Sequence, residues 1–277
     1  MINREDIRIR DPFILTDHKN CCYYMYGTTN LKDGSLVAYP KFSVYKSYDL
    51  ESFEEAKVIF DGEAHGFWAD SDFWAAEVHE YNGRYYLFGS CKADGECRTT
   101  EIFVSDTPDG EYVPVSRKNI TPEGWECLDG TLFVDDGRPY MVFSHEWVQV
   151  GDGEIWAVEL STDLSRAVGE PFMLFRASDN PNVSTLEGRE GCYVTDGPFL
   201  YREDGRIKMI WSSFYGGRYL VLEAESDTLR GEWHHGGSRY DFDGGHAMIF
   251  HTLDGKRMIS LHSPNTAGSE RATFYEL

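Results

Sequence analysis

Short apolar runs that alternate with polar residues, each closed by a turn, fill the chain from end to end. The clearest opens on Asn82-Gly83 and continues through Arg84, Tyr85, Tyr86, Leu87, Phe88 and Gly89 to Ser90. It returns as Asp136-Gly137 running to Ser144, as Asp204-Gly205 running to Ser212, and as Asp254-Gly255 running to His262. Asn-Gly and Asp-Gly are strong hairpin signals, because both central residues of the favoured turn need positive φ. A degenerate first copy, His18-Lys19-Asn20 and then Cys22 to Thr28, makes five. A second signal lies between the copies: a strand closed by a Ser/Asp turn at Ser47, Ser105, Ser161 and Ser226, recurring every 56–65 residues and followed in most copies by an aromatic (Phe53, Tyr112, Trp233).

Each unit therefore reads as strand, hairpin, strand, strand, turn and outer strand. Repeated four-stranded units of this length are propeller blades. The expected fold is all-β: one domain over residues 1–277, a five-bladed β-propeller with four-stranded antiparallel blades around a central channel. The segment from Glu5 to Arg10 is expected to pair with the last blade and close the ring, removing a sheet edge.

Charge narrows the partners. Lys and Arg total 26 against 47 Asp and Glu, a net charge of −21. Such a chain repels phosphate backbones and anionic membranes, so a neutral small substrate is expected, with no nucleic acid and no membrane. The six cysteines form no C-x-x-C pair and read as reduced apolar fillers. The first residues carry no apolar leader, and a cytoplasmic protein is expected.

The first strand of a blade lines the channel, so the residues just before each hairpin should converge at one end of it. They are Arg10-Asp11-Pro12, Trp74-Ala75-Ala76-Glu77, Leu128-Asp129-Gly130, Thr195-Asp196-Gly197-Pro198 and Gly245-His246-Ala247. Asp11, Glu77, Asp129, Asp196 and His246 are thus expected at equivalent places in five blades. Clustering carboxylates on one axis costs free energy through repulsion and desolvation. A site that keeps one carboxylic acid protonated and another ionised needs such a cluster.

These motifs resemble glycoside hydrolase family 43, the five-bladed propellers of the arabinofuranosidase and xylosidase group, and the resemblance runs across essentially the whole chain. It implies an inverting hydrolase in which Asp11 is the general base, Asp129 tunes the acid's pKa and orients the sugar, and Asp196 is the general acid. The family's acid is Glu, so Asp196 is a departure, one methylene shorter; Glu77, Glu146 and Glu190 are the substitutes to weigh. The resemblance also places His246 in the channel, towards a water or a metal, so that a Ca²⁺ ion is a candidate there although no cofactor is required. Trp74, Glu77, Phe13, Arg271 and His246 are candidate substrate-binding residues; Trp147 and Phe214 are weaker aromatic candidates, and Arg10 or Arg271 could supply a cation beside the base. The expected activity is exo-acting α-L-arabinofuranosidase or β-xylosidase on short plant-polysaccharide oligosaccharides. The alternatives are a β-galactofuranosidase or galactosidase of the same fold, or a sugar-binding propeller that has lost catalysis.

Overall fold

The computed structural model describes residues 1–29 and 40–277 and, between them, the backbone of a short ladder, Leu31–Lys32 with Ser35–Leu36. All of the candidate site residues lie within the described part.

Five antiparallel sheets form the ring of a five-bladed propeller. Their inner strands are Arg10–Asp17, Ser71–Tyr81, Cys127–Asp135, Asp196–Glu203 and Gly245–His251, each against the next and the last against the first. Blade 2 continues through Arg84–Lys92, Thr99–Ser105 and Val113–Pro114, blade 3 through Arg138–His145, Glu154–Glu159 and Phe172–Arg176, and blade 4 through Arg206–Tyr215, Arg218–Ser226 and His234–Ser238. In blade 1, Cys22–Thr28 is followed by Lys41–Ser47, which pairs with both Ser52–Phe53 and Lys57–Asp61. Blade 5 has three strands among the described residues, Gly245–His251, Arg257–Ser263 and Arg271–Glu276.

Ring closure differs from the sequence expectation. Glu5 to Arg10 adds no strand to blade 5; instead Ile2–Asn3 pairs with Ser52–Phe53 at the rim of blade 1. Arg4–Asp6 forms a 3-10 turn, and the tie to blade 5 is made by separate contacts, among them the Ile9 N–H to the Glu270 carbonyl at 3.4 Å and the Arg271 guanidinium to the Glu5 carbonyl at 2.6 Å.

The predicted hairpins form for a local reason. Asn82, Asp136 and Asp204 lie at φ 48–52° and the glycines after them at φ 75–79°, the mirror-image turn that matches strand twist. In blade 5 the turn is longer, with His251 paired to Arg257, and Asp254 keeps a negative φ. Between blades, large side chains fill the wedge. Phe42, Phe60, Phe73 and Phe103 pack with ring centroids 4.5–6.2 Å apart, and Gly89 leaves room for Phe42, whose ring lies 2.3 Å from where a Cβ would stand. Burying each such ring contributes about 1.5–3 kcal/mol.

Candidate active site

Every inner strand begins with a β-bulge in the same place. Residue pairs Arg10–Thr28, Trp74–Ser90, Leu128–Ser144, Asp196–Ser212 and Gly245–His262 precede it, and in each blade two residues then oppose one. The first bulge residue is left-handed throughout: Asp11 at φ 56°, Ala75 at 47°, Asp129 at 56°, Gly197 at 52° and His246 at 51°. Four of these carry a Cβ in a region that favours glycine, a strain that bulges next to active sites often hold.

This bulge corrects the register read from sequence. Asp11, Asp129 and His246 are equivalent, but Asp196 stands one residue before the bulge and Glu77 two residues after the bulge position, which in blade 2 is Ala75. Blade 4 has a physical reason. A Cβ at Gly197 would lie 2.7 Å from Cγ and Cδ2 of His246, so the bulge position must stay bare and the carboxyl is carried by its neighbour.

The bulge amides are tied across the blade interfaces by the residue that ends each hairpin copy. Thr28 Oγ1 accepts from the Ala75 N–H (2.8 Å), Ser90 Oγ from Asp129 (3.0 Å), Ser212 Oγ from His246 (2.8 Å), and His262 Nδ1 from Asp11 (3.2 Å). Blade 4 breaks the pattern. The Gly197 N–H goes to Asp129 Oδ2 at 3.0 Å, and the buried Ser144 Oγ is left without a protein partner.

Asp11, Asp129, Asp196, Trp74 and His246 come together around one pocket of about 180 Å³, with Arg10, Glu146, Trp147 and Tyr219 also in its wall. Asp11 Oδ2 accepts from the Thr28 hydroxyl at 2.8 Å, and Oδ1 lies 3.2 Å from His246 Nδ1. Burial alone would push this carboxyl up, but the His246 ring, the contact with His262 and the Arg10 guanidinium outweigh it and hold Asp11 well below the usual carboxylate range. His262 also lies 3.3 Å from Asp11 Oδ1; burial keeps its ring neutral, so Nδ1 accepts the Asp11 N–H while Nε2 faces Asn265 Oδ1 at 3.2 Å. Arg10 is itself fixed by Asn265 and the buried Glu270, at 2.9 and 3.0 Å.

Asp196 has the opposite setting. Burial, and then the like charge of Asp129, push it up to about 7, against the opposing pull of His246 and of the Tyr219 hydroxyl that donates to Oδ2 at 2.9 Å. Asp129 is raised too, by burial and then by Asp11, so Asp129 and Asp196 titrate as a pair that retains a proton near neutral pH. The pocket thus lowers one carboxyl and raises the other two.

The other candidates separate cleanly. Glu146 reaches the wall but is ion-paired with Arg98, which also bonds Asp72 at 2.7 Å and lies 4.4 Å over the Trp74 ring. A sugar stacked on Trp74 would therefore use the ring's other face. Glu77 is 4% exposed and bonds His79 at 3.0 Å rather than lining the pocket. Phe13 lies further along its strand, edge-on to His79 at 5.0 Å, in the wall of a second cavity. Arg271 serves the seam with Glu5, Glu190 is exposed, and Phe214 packs behind Tyr219 at 5.4 Å. Tyr219 went unread because it lies on the third strand of its blade, outside any repeated motif. These side-chain ties were readable in principle, since Thr28, Ser90, Ser212 and His262 each close a hairpin copy.

A calcium ion finds little here. His246 Nε2 is buried without a protein partner, but it is a nitrogen, and among the described residues no cluster of three or more His, Cys, Asp or Glu is suited to a metal. Calcium takes six to eight oxygen ligands, which water would have to supply. The residues present do not make a calcium cage.

A sequence model of glycosyl hydrolases family 43 matches residues 6–276. The crystal structure of an endo-arabinase from Bacteroides thetaiotaomicron VPI-5482 superposes with a TM-score of 0.90 at 41% identity, covering 100% of this chain and 96% of that one. An extracellular endo-alpha-(1->5)-L-arabinanase 2 of Bacillus subtilis (strain 168) is 27% identical over 166 residues, 56% of this chain and 33% of its own length. An alpha-L-arabinofuranosidase 43 of Humicola insolens is 24% identical over 221 residues, 76% of this chain and 42% of its own. The chain thus spans less than half the length of these two relatives.

Proposed function

Because the chain belongs to glycosyl hydrolases family 43, we propose that it hydrolyses α-L-arabinofuranosyl linkages of an arabinan-type chain with inversion at the anomeric carbon. The observation that carries the reading is one pocket that brings together Asp11, beside His246 and Arg10, and Asp196, held by the Tyr219 hydroxyl with Asp129 nearby, so that the first carboxyl is lowered and the second raised to about 7. Asp11 takes a proton from a water as its oxygen bonds to the anomeric carbon. The bond to the leaving oxygen breaks, its electron pair stays on that oxygen, and Asp196 supplies the proton. Asp129, held by the Gly197 N–H, keeps the acid's pKa high and faces the sugar. Trp74 and Trp147 line the pocket, each with one ring face under an arginine (Arg98 and Arg189), which leaves the other face to stack on the sugar.

The sugar is inferred from relatives named for arabinan and arabinofuranoside, the most complete being the endo-arabinase. Two of the three carry an endo designation, which weighs towards internal cleavage over the end-on release expected from the sequence. The test is a panel of linear α-1,5-arabino-oligosaccharides with aryl α-L-arabinofuranoside, β-D-xyloside and β-D-galactofuranoside. Proton NMR of the first product should show the anomer opposite to the substrate's, and oligomers should precede free arabinose. Xyloside turnover without arabinofuranoside turnover would overturn the sugar assignment, and no turnover on any substrate would favour a sugar-binding propeller.

A further inference from the structure

A Glu-to-Asp change shortens an acid's reach and leaves its carboxyl one rotatable bond fewer to find its place. Something must then aim it, and the pocket wall contains a rigid donor suited to that. The Tyr219 ring is 1% exposed and stacks on His262 at 5.6 Å and 14°. Its N–H is held by Asp243 Oδ1 at 2.9 Å, and its carbonyl accepts from the Gly244 N–H at 2.8 Å. Gly245 clears the space beside the ring: a Cβ there would lie 2.4 Å from Tyr219 Cε1. The phenol is held well above its usual pKa by burial and then by Asp196, so it remains an O–H donor.

We propose that Tyr219 is the positioning residue for the short acid: its hydroxyl occupies Asp196 Oδ2, so that the proton sits on Oδ1, free to face the departing oxygen. This rests on the reading of Asp196 as the acid. Once Oδ1 has released its proton, the same hydrogen bond stabilises the carboxylate left behind. Through its stack on His262, the ring also links the acid to the residue that holds the base's backbone N–H. Acid and base are thereby set by one continuous stretch of side chains, His262 and Tyr219.

The test is Tyr219→Phe, which keeps the ring and removes only the hydroxyl. Carbon-13 carboxyl NMR follows the Asp196 resonance, assigned by its loss in Asp196→Asn, and needs no turnover. Its midpoint should rise by about one pH unit, because a hydrogen bond to the charged form has been lost. Turnover of arabino-oligosaccharide should fall about tenfold or more through kcat, while an activated aryl arabinofuranoside, needing little acid help, stays within about threefold. In the Tyr219→Phe background Asp196→Glu should cost less than it does alone, since the longer side chain no longer meets the hydroxyl. An unmoved midpoint, equal losses on both substrates, or an effect on KM alone would overturn the proposal; the last would make the hydroxyl a sugar contact. An inert wild type whose Asp196 midpoint still moves overturns the hydrolase reading and supports the coupling of the two residues.

Discussion

Blades 1 and 4 each deliver one aspartate to the same pocket, from neighbouring positions of the same bulge, and shift the two carboxyls in opposite directions. Asp11 sits at the bulge, beside Arg10 and His246 and under the Thr28 hydroxyl. Asp196 stands one residue earlier, faces Asp129, and has a neutral phenol for its hydrogen-bond partner. The backbone element is shared, so each carboxyl's setting comes from its neighbours: Arg10 on the same strand and His246 from blade 5 beside one, Asp129 from blade 3 beside the other.

The comparison can be broken most severely at Asp11. Asp11→Asn should lower turnover on natural and aryl substrates alike by about 10²–10⁴-fold, with sugar binding by calorimetry retained. Asp196→Asn should cost a similar factor on oligosaccharides but far less on aryl arabinofuranosides, which separates the two roles by leaving group. It should also raise Tm at pH 8. The folded state binds the Asp196 proton more tightly than the unfolded chain does, so its stabilising share, complete below the unfolded carboxyl's pKa, is lost as pH rises through about 7. The same titration predicts that kcat/KM falls about tenfold per pH unit above about 7, with no loss on the acid side from Asp11 until well below the usual carboxylate range.

Smaller effects sharpen the contrast between blades. Gly197→Ala drives a Cβ into the His246 ring and should cost about 1–3 kcal/mol in a denaturant melt. Ser212→Ala strands the buried N–H of His246 and should cost about 1–3 kcal/mol. Ser144→Ala, at the same place one blade earlier, removes a hydroxyl that has no protein partner and should stay within about 0.5 kcal/mol.

The propeller was legible because its turns are chemically demanding. Asn82-Gly83, Asp136-Gly137 and Asp204-Gly205 need positive φ at both residues, and few sequences satisfy that three times in step with alternating strands. The site was legible to within a residue or two. Treating the segments before the hairpins as equivalent put Asp196 and Glu77 in line with Asp11, because the bulge that all five blades share, and that fixes which residue faces the channel, leaves no mark in the apolar pattern. Glu77 and Phe13 were drawn into the site by that same equivalence, and Arg271 by its charge alone. Tyr219 gave no signal, since its place depends on how the third strand of one blade leans over the next.

The cross-blade hydrogen bonds give the pocket a mechanical character. Asp11, Asp129 and His246 are each pinned through the backbone by a side chain that belongs to the preceding blade, and for Asp11 that blade is the last one, by way of His262. The weld that joins the chain's two ends is therefore also the mount for Asp11, the base of the proposed reaction. Loosening that weld, by heat or by cutting the circle elsewhere and rejoining the old ends, would disarm the molecule while four blades still stood, so that function would report the integrity of the whole circle before any spectroscopic measure of its strands did.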